Sequence, residues 1–370
     1  MALSAPDIRD EDVAAVAAAL RSGTLSKGPA TAAFEEAFAD YVGVPHAVAA
    51  SSGTAALHLC MRAAGIGEGD EVITSPFGYI ASANAVVYER GRPVFADIDE
   101  ETMNLDPALA EAAVTPRTRA LLPVHVFGQP CAMDALSDLA ERRGLALVED
   151  ACEAIGAEYR GRKVGGFGQS AVFSFFPNKQ MTTGEGAMIT CRDPAVAARL
   201  RVLRNQGVRE GENGLVHEEL GYNYRMTELS AALGLSQLGR IEEMLAMREA
   251  VAGLYRERLQ GVAGARLIEA APATSRLSWF AAIVRLDPFF DRGVVIAALA
   301  GLGIPARAYF EPLHLQPYYR RTFGYAPGDF PVTERVARTT LALPFHNRLG
   351  PDQVDMVCGA LERALERVPA

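Results

Sequence analysis

Short apolar segments alternate with amphipathic helical patterns over the first half of the chain. The strand-like segments cover residues 46–50, 70–76, 92–98, 120–127, 145–150, 170–176 and 186–191, and helical patterns lie between them at 82–89 and 133–143. Strands that are joined by helices pair in parallel and are buried on both faces. The alternation therefore predicts an α/β fold with a mostly parallel sheet between helices.

The pattern changes beyond residue 220. A long helical zone covers residues 223–259; after it come a strand-like segment at 277–286, a helix at 293–301, an aromatic loop at 309–319 and a closing helix from Pro351. We expect a large domain at residues 21–245 and a smaller α+β domain at residues 246–370. Residues 1–20 contain a helix at 10–20, which we expect to pack with the small domain and to join the two.

Composition argues against several classes of partner. The 370 residues carry a net charge of −9, which disfavours nucleic acid and an anionic membrane surface as partners. No apolar run reaches the roughly eighteen residues of a membrane span, and the N-terminal residues show no secretory pattern. The five cysteines show neither disulfide-like nor metal-like spacing, so we expect reduced thiols, a cytoplasmic location and no metal site.

Polar residues at the carboxyl ends of the strands are candidates for ligand binding, because ligands of open α/β sheets bind there. Gly53 and Thr54 follow the segment at 46–50 and open a helix, whose free N–H groups and dipole favour a phosphate. An ordinary helix cap at Ser52 or Thr54 explains the same residues and, without further evidence, is the better explanation.

Asp150 and Lys179 lie at two further strand ends. The buried carboxylate of Asp150 needs a partner, which is either a cationic ligand nitrogen, such as a pyridinium, or a nearby arginine or helix end. Lys179 lies between the apolar "FSFF" and the turn "TTGEG". A lysine desolvated there is nucleophilic and suits a Schiff base, whereas the alternative is a surface lysine on a loop.

These features, in this chain order, match the needs of pyridoxal 5′-phosphate (PLP). The cofactor requires a phosphate cradle, a carboxylate for its ring nitrogen and an amine for its aldehyde. Gly53 and Thr54, Asp150 and Lys179 offer these groups in turn, and Ser174 lies shortly before the lysine. The sequence therefore predicts a PLP site.

The chain resembles the DegT family of sugar aminotransferases, which are fold-type I PLP enzymes, almost from end to end. The likeness is carried by "SGTLSKGPATAAFEEAFADYVG" (22–43), "SSGTAALHL" (51–59), "SPFGYIASANAV" (75–86), "PVHVFGQPCAMDAL" (123–136), "EDACEAIGAEYRGRKVGGFG" (149–168), "FSFFPNKQMTTGEG" (173–186), "GYNYRMTELSAAL" (221–233) and "YFEPLHLQPYY" (309–319). The resemblance implies that Lys179 forms the internal aldimine and later moves the proton. It also implies that Asp150 pairs with the pyridine nitrogen and that Ser174, with the Gly53–Thr54 turn, binds the phosphate.

Two more residues gain roles from the resemblance. Tyr79 would stack on the cofactor ring, and Asn223 in "GYNYR" would reach the phosphate across a homodimer interface with shared active sites. From the residues alone, Tyr79 is better explained as a core aromatic and Asn223 as a turn residue.

The sequence departs from the family pattern at two positions. Glu153 stands where the family commonly has Gln or His near the cofactor's phenolic oxygen, and an ionised Glu cannot donate a hydrogen bond to that oxygen. Glu153 is therefore protonated, bridged by water or turned elsewhere. Ala187 replaces a usual Gly. Some relatives carry His in place of the lysine and dehydrate their substrates, so the intact Lys179 favours transamination.

The resemblance implies a donor, L-glutamate, which leaves pyridoxamine phosphate (PMP), and an acceptor, a nucleotide-linked keto-sugar such as a 4-keto-6-deoxyhexose. Thr24, Tyr309 and His314 lie in loops that suit a sugar or a base, although ordinary loop packing is the alternative. Candidate partners for the diphosphate are Lys27, Arg225, Arg307 and Arg320.

Three other functions compete with this reading. A cyclitol or other non-nucleotide ketone could replace the sugar as acceptor in the same fold. A PLP-binding regulatory protein without turnover is disfavoured by the complete lysine–aspartate–phosphate set. A Rossmann enzyme is disfavoured because no GxGxxG follows an early strand.

Overall fold

A computed structural model describes residues 1–211 and 214–367, and its centre is a seven-stranded sheet. In the described residues the strands are β1 (His46–Ala50), β2 (Glu71–Thr74), β3 (Arg92–Phe95), β4 (Thr118–Leu122), β5 (Ala146–Asp150), β6 (Glu158–Tyr159), β7 (Arg162–Lys163), β8 (Ser170–Ser174), β9 (Ala187–Cys191), β10 (Val208–Gly211), β11 (Gly214–His217), β12 (Ala265–Leu267), β13 (Thr274–Arg276), β14 (Ala282–Leu286), β15 (Arg307–Ala308) and β16 (Thr340–Leu343).

The large sheet has the order β1-β9-β8-β5-β4-β2-β3. The pairs β8–β5, β5–β4, β4–β2 and β2–β3 are parallel, whereas β9 runs antiparallel to both β1 and β8. The predicted α/β fold with a mostly parallel sheet is confirmed. Strand β4 is shorter than the apolar segment 120–127, because Pro123 has no N–H for the ladder and a 3₁₀ turn follows at Val126–Gly128.

Thirteen helices are assigned within the described residues. They are α1 (Asp10–Arg21), α2 (Pro29–Val42), α3 (Gly53–Ala63), α4 (Ala81–Tyr88), α5 (Pro107–Ala112), α6 (Met133–Arg143), α7 (Pro194–Arg204), α8 (Glu228–Leu238), α9 (Ile241–Leu259), α10 (Arg292–Gly301), α11 (Pro317–Phe323), α12 (Pro331–Thr339) and α13 (Pro351–Arg367). The predicted helical zone 223–259 is wrong in two respects. Residues 223–227 are not helical, and the zone is broken at Gly239 and Arg240.

Alternating side chains of each strand pack against helices on opposite faces of the sheet. In β8, Val172 packs with α3, α4 and α7, whereas Ala171 and Phe173 point to the other face, where α2 and α8 lie. Helices α5 and α6 cover the rest of that second face. The side-chain period of two along a strand thus places the large sheet between two helical layers.

The C-terminal part of the chain builds a second, antiparallel sheet of order β12-β14-β16-β15. Its core also contains side chains of α9, α10 and α13. The predicted domain boundary at 245/246 falls inside α9, so the division remains a prediction, and residues 368–370 of the predicted small domain lie outside the described residues.

The expected packing of the N-terminal helix needs correction, because α1 packs on α8 and not on the C-terminal sheet. The reason is the buried carboxylate of Asp12, which accepts hydrogen bonds from Gln237 and Arg240, each at 2.7 Å. The residues before the helix do reach the C-terminal part, since the carbonyl of Leu3 accepts a hydrogen bond from the Phe345 N–H at 2.8 Å.

No helix within residues 1–211 and 214–367 has the length and apolar character needed to cross a membrane.

Candidate active site

A cavity of about 480 Å³ opens at the carboxyl ends of β5 and β8. Nine of the residues predicted from sequence line it together, although they come from five separate parts of the chain: Gly53, Thr54, Tyr79, Asp150, Glu153, Ser174, Lys179, Arg307 and Tyr309. We call it the Lys179 cavity. Its position is the one that parallel α/β sheets offer for a ligand.

One end of the Lys179 cavity is the N-terminus of α3. Ser52 caps this helix by accepting a hydrogen bond from the N–H of Ala55 at 3.2 Å, so the N-cap that served as the alternative explanation is present. A Cβ atom on Gly53 would lie 3.2 Å from the side chain of Ser174. The absence of a side chain at Gly53 therefore brings helix N–H groups and the Ser174 hydroxyl to one place, as a phosphate requires.

Asp150 carries a buried carboxylate at the end of β5. It is 5% exposed, and it accepts hydrogen bonds from the Cys152 N–H at 3.1 Å and from the Ser82 hydroxyl. Among the residues that the structure describes, no cation is paired with it. The arginine partner that served as an alternative explanation is thus not found there, and a cation bound beside this buried carboxylate would be stabilised by it.

Lys179 projects into the same cavity from the turn after β8. Its Nζ lies 3.3 Å from Glu153 Oε1 and 4.2 Å from the centre of the Phe280 ring. The other oxygen of Glu153 accepts a hydrogen bond from the Phe127 N–H at 2.9 Å. Burial raises the pKa of the Glu153 carboxyl, while the nearby Lys179 ammonium opposes that shift. Of the possibilities left open by the sequence, a Glu153 turned elsewhere is excluded, because the side chain faces the Lys179 cavity.

Aromatic residues from the C-terminal part form the opposite wall. Tyr309 and Phe310 stack in parallel with ring centres 4.9 Å apart, and Phe280 stacks with Tyr309 at 6.2 Å. Tyr79, which is 63% exposed, lies at the open side of the cavity, so it is not the core aromatic that served as its alternative. Arg307 also lines the cavity.

Sequence reasoning missed several residues of this site. Phe280 and Phe310 gave no local signal, since apolar residues in apolar segments look like ordinary core. Asn178 precedes Lys179 in the quoted motif and could have been named; its buried Oδ1 has no hydrogen-bond partner in the described part of the chain.

The structure corrects the expectation for His314. Its side chain is fully buried, is hydrogen-bonded to Glu334 at 3.1 Å and packs against Phe330, and it does not line the Lys179 cavity. Burial lowers the pKa of His314, which favours the neutral ring. The side chain of His314, which we expected to face a substrate, is instead buried in the protein interior.

Several other predicted substrate and phosphate residues lie away from the cavity. Thr24, Asn223 and Arg320 are exposed. Lys27 and Arg225 line a separate depression of about 870 Å³, which we call the basic hollow. Its wall contains six basic side chains and three acidic ones: Lys27, Arg199, Arg201, Arg204, Arg209 and Arg225 against Glu35, Glu218 and Glu219.

The Lys179 cavity combines an anion-binding helix end, an unpaired buried carboxylate and a lysine on an α/β sheet. These groups fit the phosphate, the ring nitrogen and the aldehyde of PLP, so the site defines a PLP-dependent enzyme of fold type I. The chain belongs to the DegT/DnrJ/EryC1/StrS aminotransferase family, whose model matches residues 6–362. It is an aminotransferase.

Individual relatives agree with this family. The chain is 45% identical to GDP-perosamine synthase of Caulobacter vibrioides, over 90% of this chain and 89% of the relative. It is 41% identical to dTDP-3-amino-3,4,6-trideoxy-alpha-D-glucose transaminase of Streptomyces venezuelae, over 98% and 94%. A structure of a candidate sugar aminotransferase from Streptococcus pneumoniae, in its PMP form, superposes with a TM-score of 0.95 at 27% identity and covers 99% of both chains.

Proposed function

We propose that this aminotransferase moves an amino group from L-glutamate to the keto group of a nucleotide-linked 4-keto-6-deoxyhexose, with PLP as its cofactor. The observation that carries the proposal is that Lys179, Asp150 and the α3 N-terminus share one cavity. Two relatives named for nucleotide-linked sugars match over most of this chain. Their names contain different nucleotides, so the likeness supports the class of acceptor and leaves its nucleotide open.

The residues divide the binding of the cofactor among them. Ser174 and the N–H groups at Gly53 and Thr54 would hold the phosphate, since a helix N-terminus binds anions. Asp150 would hold the ring nitrogen in its protonated form, because a buried carboxylate is stabilised by an adjacent cation. Tyr79 would close the exposed side of the ring.

When bound, PLP supplies the aldehyde that accepts an amine and the ring that delocalises electrons. Lys179 provides the amine that holds the cofactor and, once released, carries a proton to and from the substrate carbon. Lys179 Nζ lies 3.3 Å from Glu153 Oε1, and this contact would hold the released lysine inside the cavity. In its protonated state, Glu153 is also able to donate a hydrogen bond to a cofactor oxygen.

The acceptor would enter between the two walls of the cavity. Tyr309 offers a hydroxyl and a ring face for a sugar, and Arg307 offers a bidentate donor for a diphosphate. Asn178 contributes an acceptor oxygen without a protein partner in the described residues. These groups suit a polar acceptor better than a plain hydrocarbon ketone.

We also propose that the enzyme is a homodimer in which Asn223, Thr24, Lys27 and Arg225 act at the partner's cavity. Asn223 is exposed, and apolar side chains stand out near it: Leu220 is 74% exposed and Tyr88 is 53% exposed. Neighbouring exposed apolar side chains support an interface at this surface. The five cysteines are all free thiols, which fits our proposal of a cytoplasmic enzyme.

The reaction is tested by following the PMP form in a stopped-flow instrument. We expect L-glutamate to generate PMP and a nucleotide-linked 4-keto-6-deoxyhexose to discharge it. If free cyclitol ketones or simple 2-oxo acids discharge PMP while every nucleotide-linked sugar fails, the acceptor is of the non-nucleotide type. If no amino donor produces PMP, the proposed transfer from L-glutamate is wrong.

The dimer is tested by mixing two inactive variants. Lys179→Ala lacks the lysine, and Asn223→Asp places a negative charge near the phosphate. If Asn223 acts across the interface, hybrid dimers regain one working site. An active monomer, or no recovery despite measured subunit exchange, contradicts the shared site.

A further inference from the structure

Helix α9 places a fully buried arginine behind Lys179. Arg248 is 2% exposed, and within residues 1–211 and 214–367 it makes no ion pair. Burial lowers its pKa to about 10. Because an unpaired guanidinium is costly to bury, its location calls for contacts that a neutral side chain could not make.

The guanidinium donates three hydrogen bonds, all to backbone carbonyls. Nη2 binds the carbonyl of Lys179 at 3.1 Å, while Nη1 binds the carbonyls of Trp279 at 3.1 Å and Phe280 at 3.2 Å. One side chain thus joins the backbone of Lys179 to a segment that lies about a hundred residues further along the chain.

The same two residues meet again on the cavity side. The Lys179 ammonium lies over the Phe280 ring at 4.2 Å, and a cation over an aromatic face is a favourable contact. Arg248 therefore holds the backbone of Lys179 directly. It also holds the backbone of Phe280, whose ring lies under the Lys179 ammonium.

Two neighbouring contacts stiffen this arrangement. The Gln180 amide donates to the carbonyl of Glu153 at 2.6 Å and to the hydroxyl of Ser278 at 2.8 Å. The Trp279 indole N–H donates to Glu249, the next residue of α9, at 2.6 Å. The segment 278–280 is thereby held from both sides.

We propose that Arg248 is a positioning residue that sets the reach of Lys179 by holding its backbone and Phe280 at a fixed separation. The inference rests on the proposed function, in which the released lysine must return a proton to one carbon atom. A guanidinium suits this task because its planar fork directs donors to several carbonyls at once. The donors of a lysine all lie on one nitrogen, whereas these three contacts use two nitrogens of the guanidinium.

The test compares Arg248→Lys and Arg248→Met with the control Arg285→Met. Arg285 is also largely buried, but it binds Glu100 at 3.0 Å and does not line the Lys179 cavity. The first measurement is competitive acetylation of the cofactor-free protein, with Lys163 as the internal reference. We expect the labelling of Lys179 relative to Lys163 to change several-fold in both Arg248 variants and to stay unchanged in the control.

The second measurement is the glutamate half-reaction of the cofactor-loaded protein. Because a shift of about 1 Å can cost up to about a hundredfold in rate, we expect its maximal rate to fall at least about tenfold in both Arg248 variants. The glutamate concentration at half-maximal rate should stay the same, since Arg248 does not touch the substrate.

The outcomes separate the possibilities. If Arg248→Lys behaves like the wild type in both measurements, the buried charge suffices and the positioning role is wrong. If the variants only lower the melting temperature, as we expect of Arg285→Met, Arg248 is structural and the proposal is likewise wrong. If Arg248→Met does not fold, Arg248→Lys decides. If the wild type shows no glutamate half-reaction, the proposed function fails, but the acetylation still tests the position of Lys179.

Discussion

The Lys179 cavity and the basic hollow differ in how completely a single chain builds them. In the cavity, Asp150 and Glu153 are 5% and 7% exposed, and hydrogen bonds fix both carboxylates. In the hollow, Arg209 is paired with Glu218 at 2.7 Å, yet its side chain remains 69% exposed. The two carboxylates of the Lys179 cavity are thus buried and hydrogen-bonded within one chain, whereas the basic hollow leaves a charged side chain exposed to solvent.

This difference matches a division of labour. Groups that act on the reacting atoms gain most from being preorganised in a dry site. Groups that recognise the rest of an acceptor can remain on exposed loops and become ordered by a ligand or a second copy of the chain. Changes at Lys179 or Asp150 should therefore lower maximal rates, whereas changes in the hollow should weaken acceptor binding.

The largest effect is expected from Lys179→Ala. Turnover should fall by about a thousandfold or more, because both the covalent attachment and the proton carrier are lost. PLP should still bind through the phosphate and Asp150. The measurement is steady-state turnover together with cofactor content. Near-normal turnover, or a borohydride-fixed pyridoxyl label on Lys27 or Lys163 in the wild type, would remove Lys179 from the site.

A somewhat smaller effect is expected from Asp150→Asn. Loss of the charge that stabilises the protonated ring nitrogen should lower the rate of the glutamate half-reaction by about 10²–10³-fold. Asp134→Asn, which alters a carboxylate away from the cavity, is the control. Equal rates in the two variants would show that Asp150 has no electrostatic role.

The hollow is probed by Arg225→Met. Its guanidinium binds the side chain of Asn205 at 2.9 Å and borders the hollow. Loss of a charge-assisted contact to a diphosphate should raise the KM for the acceptor by about tenfold and leave the glutamate half-reaction unchanged. Arg199→Met removes an arginine paired with Glu219 in the same hollow and should have little effect. A fall in the glutamate rate of Arg225→Met would break the proposed division.

Glu153→Gln tests whether the raised pKa of Glu153 makes the stability of the folded protein depend on pH. Burial raises the folded-state pKa of Glu153 above its unfolded value of 4.5, so this group makes the folded state lose stability as pH rises above 4.5. Below that value both states hold the proton, and the group contributes no pH dependence. In the cofactor-free protein, the free energy of unfolding of Glu153→Gln should thus fall less between pH 5 and pH 8 than that of the wild type. Identical pH profiles from denaturant titrations would contradict the raised pKa.

The smallest kinetic effect is expected from His314→Ala. Removing this buried side chain and its hydrogen bond to Glu334 should lower the free energy of unfolding by about 2 kcal/mol. The kinetic constants should stay within twofold of the wild type, about the scatter of such assays. A large rise in the KM for the acceptor with unchanged stability would restore His314 as a substrate residue.

Sequence reasoning predicted the strand-end residues well, because each belongs to a short motif with its own physical signature. Asp150 ends an apolar strand, and Lys179 lies between an apolar run and a turn, so both stand out locally. The structure brings them into one cavity, while their individual roles stay predictions. The α/β sheet was predictable for the same reason, since the strand–helix alternation is a local pattern.

Other parts could not be read in this way. Phe280 reaches Lys179 only through the packing of the C-terminal part, and no local pattern marks such a long-range contact. The prediction that His314 contacts the substrate was wrong, because the sequence of an aromatic loop does not show whether its histidine faces a ligand or the protein interior. Residues 223–259 were predicted as one helical zone because a single glycine such as Gly239 is tolerated within a helix and does not by itself predict its end.

Helix α9 has a consequence for how the molecule melts. Its first turns, with Ile241, Met244 and Leu245, belong to the core of the large sheet, while Val251 and Tyr255 belong to the core of the C-terminal sheet. Neither core can lose this helix without exposing the other, so the two should unfold cooperatively. We expect calorimetry of the cofactor-free enzyme to show one transition with equal calorimetric and van't Hoff enthalpies.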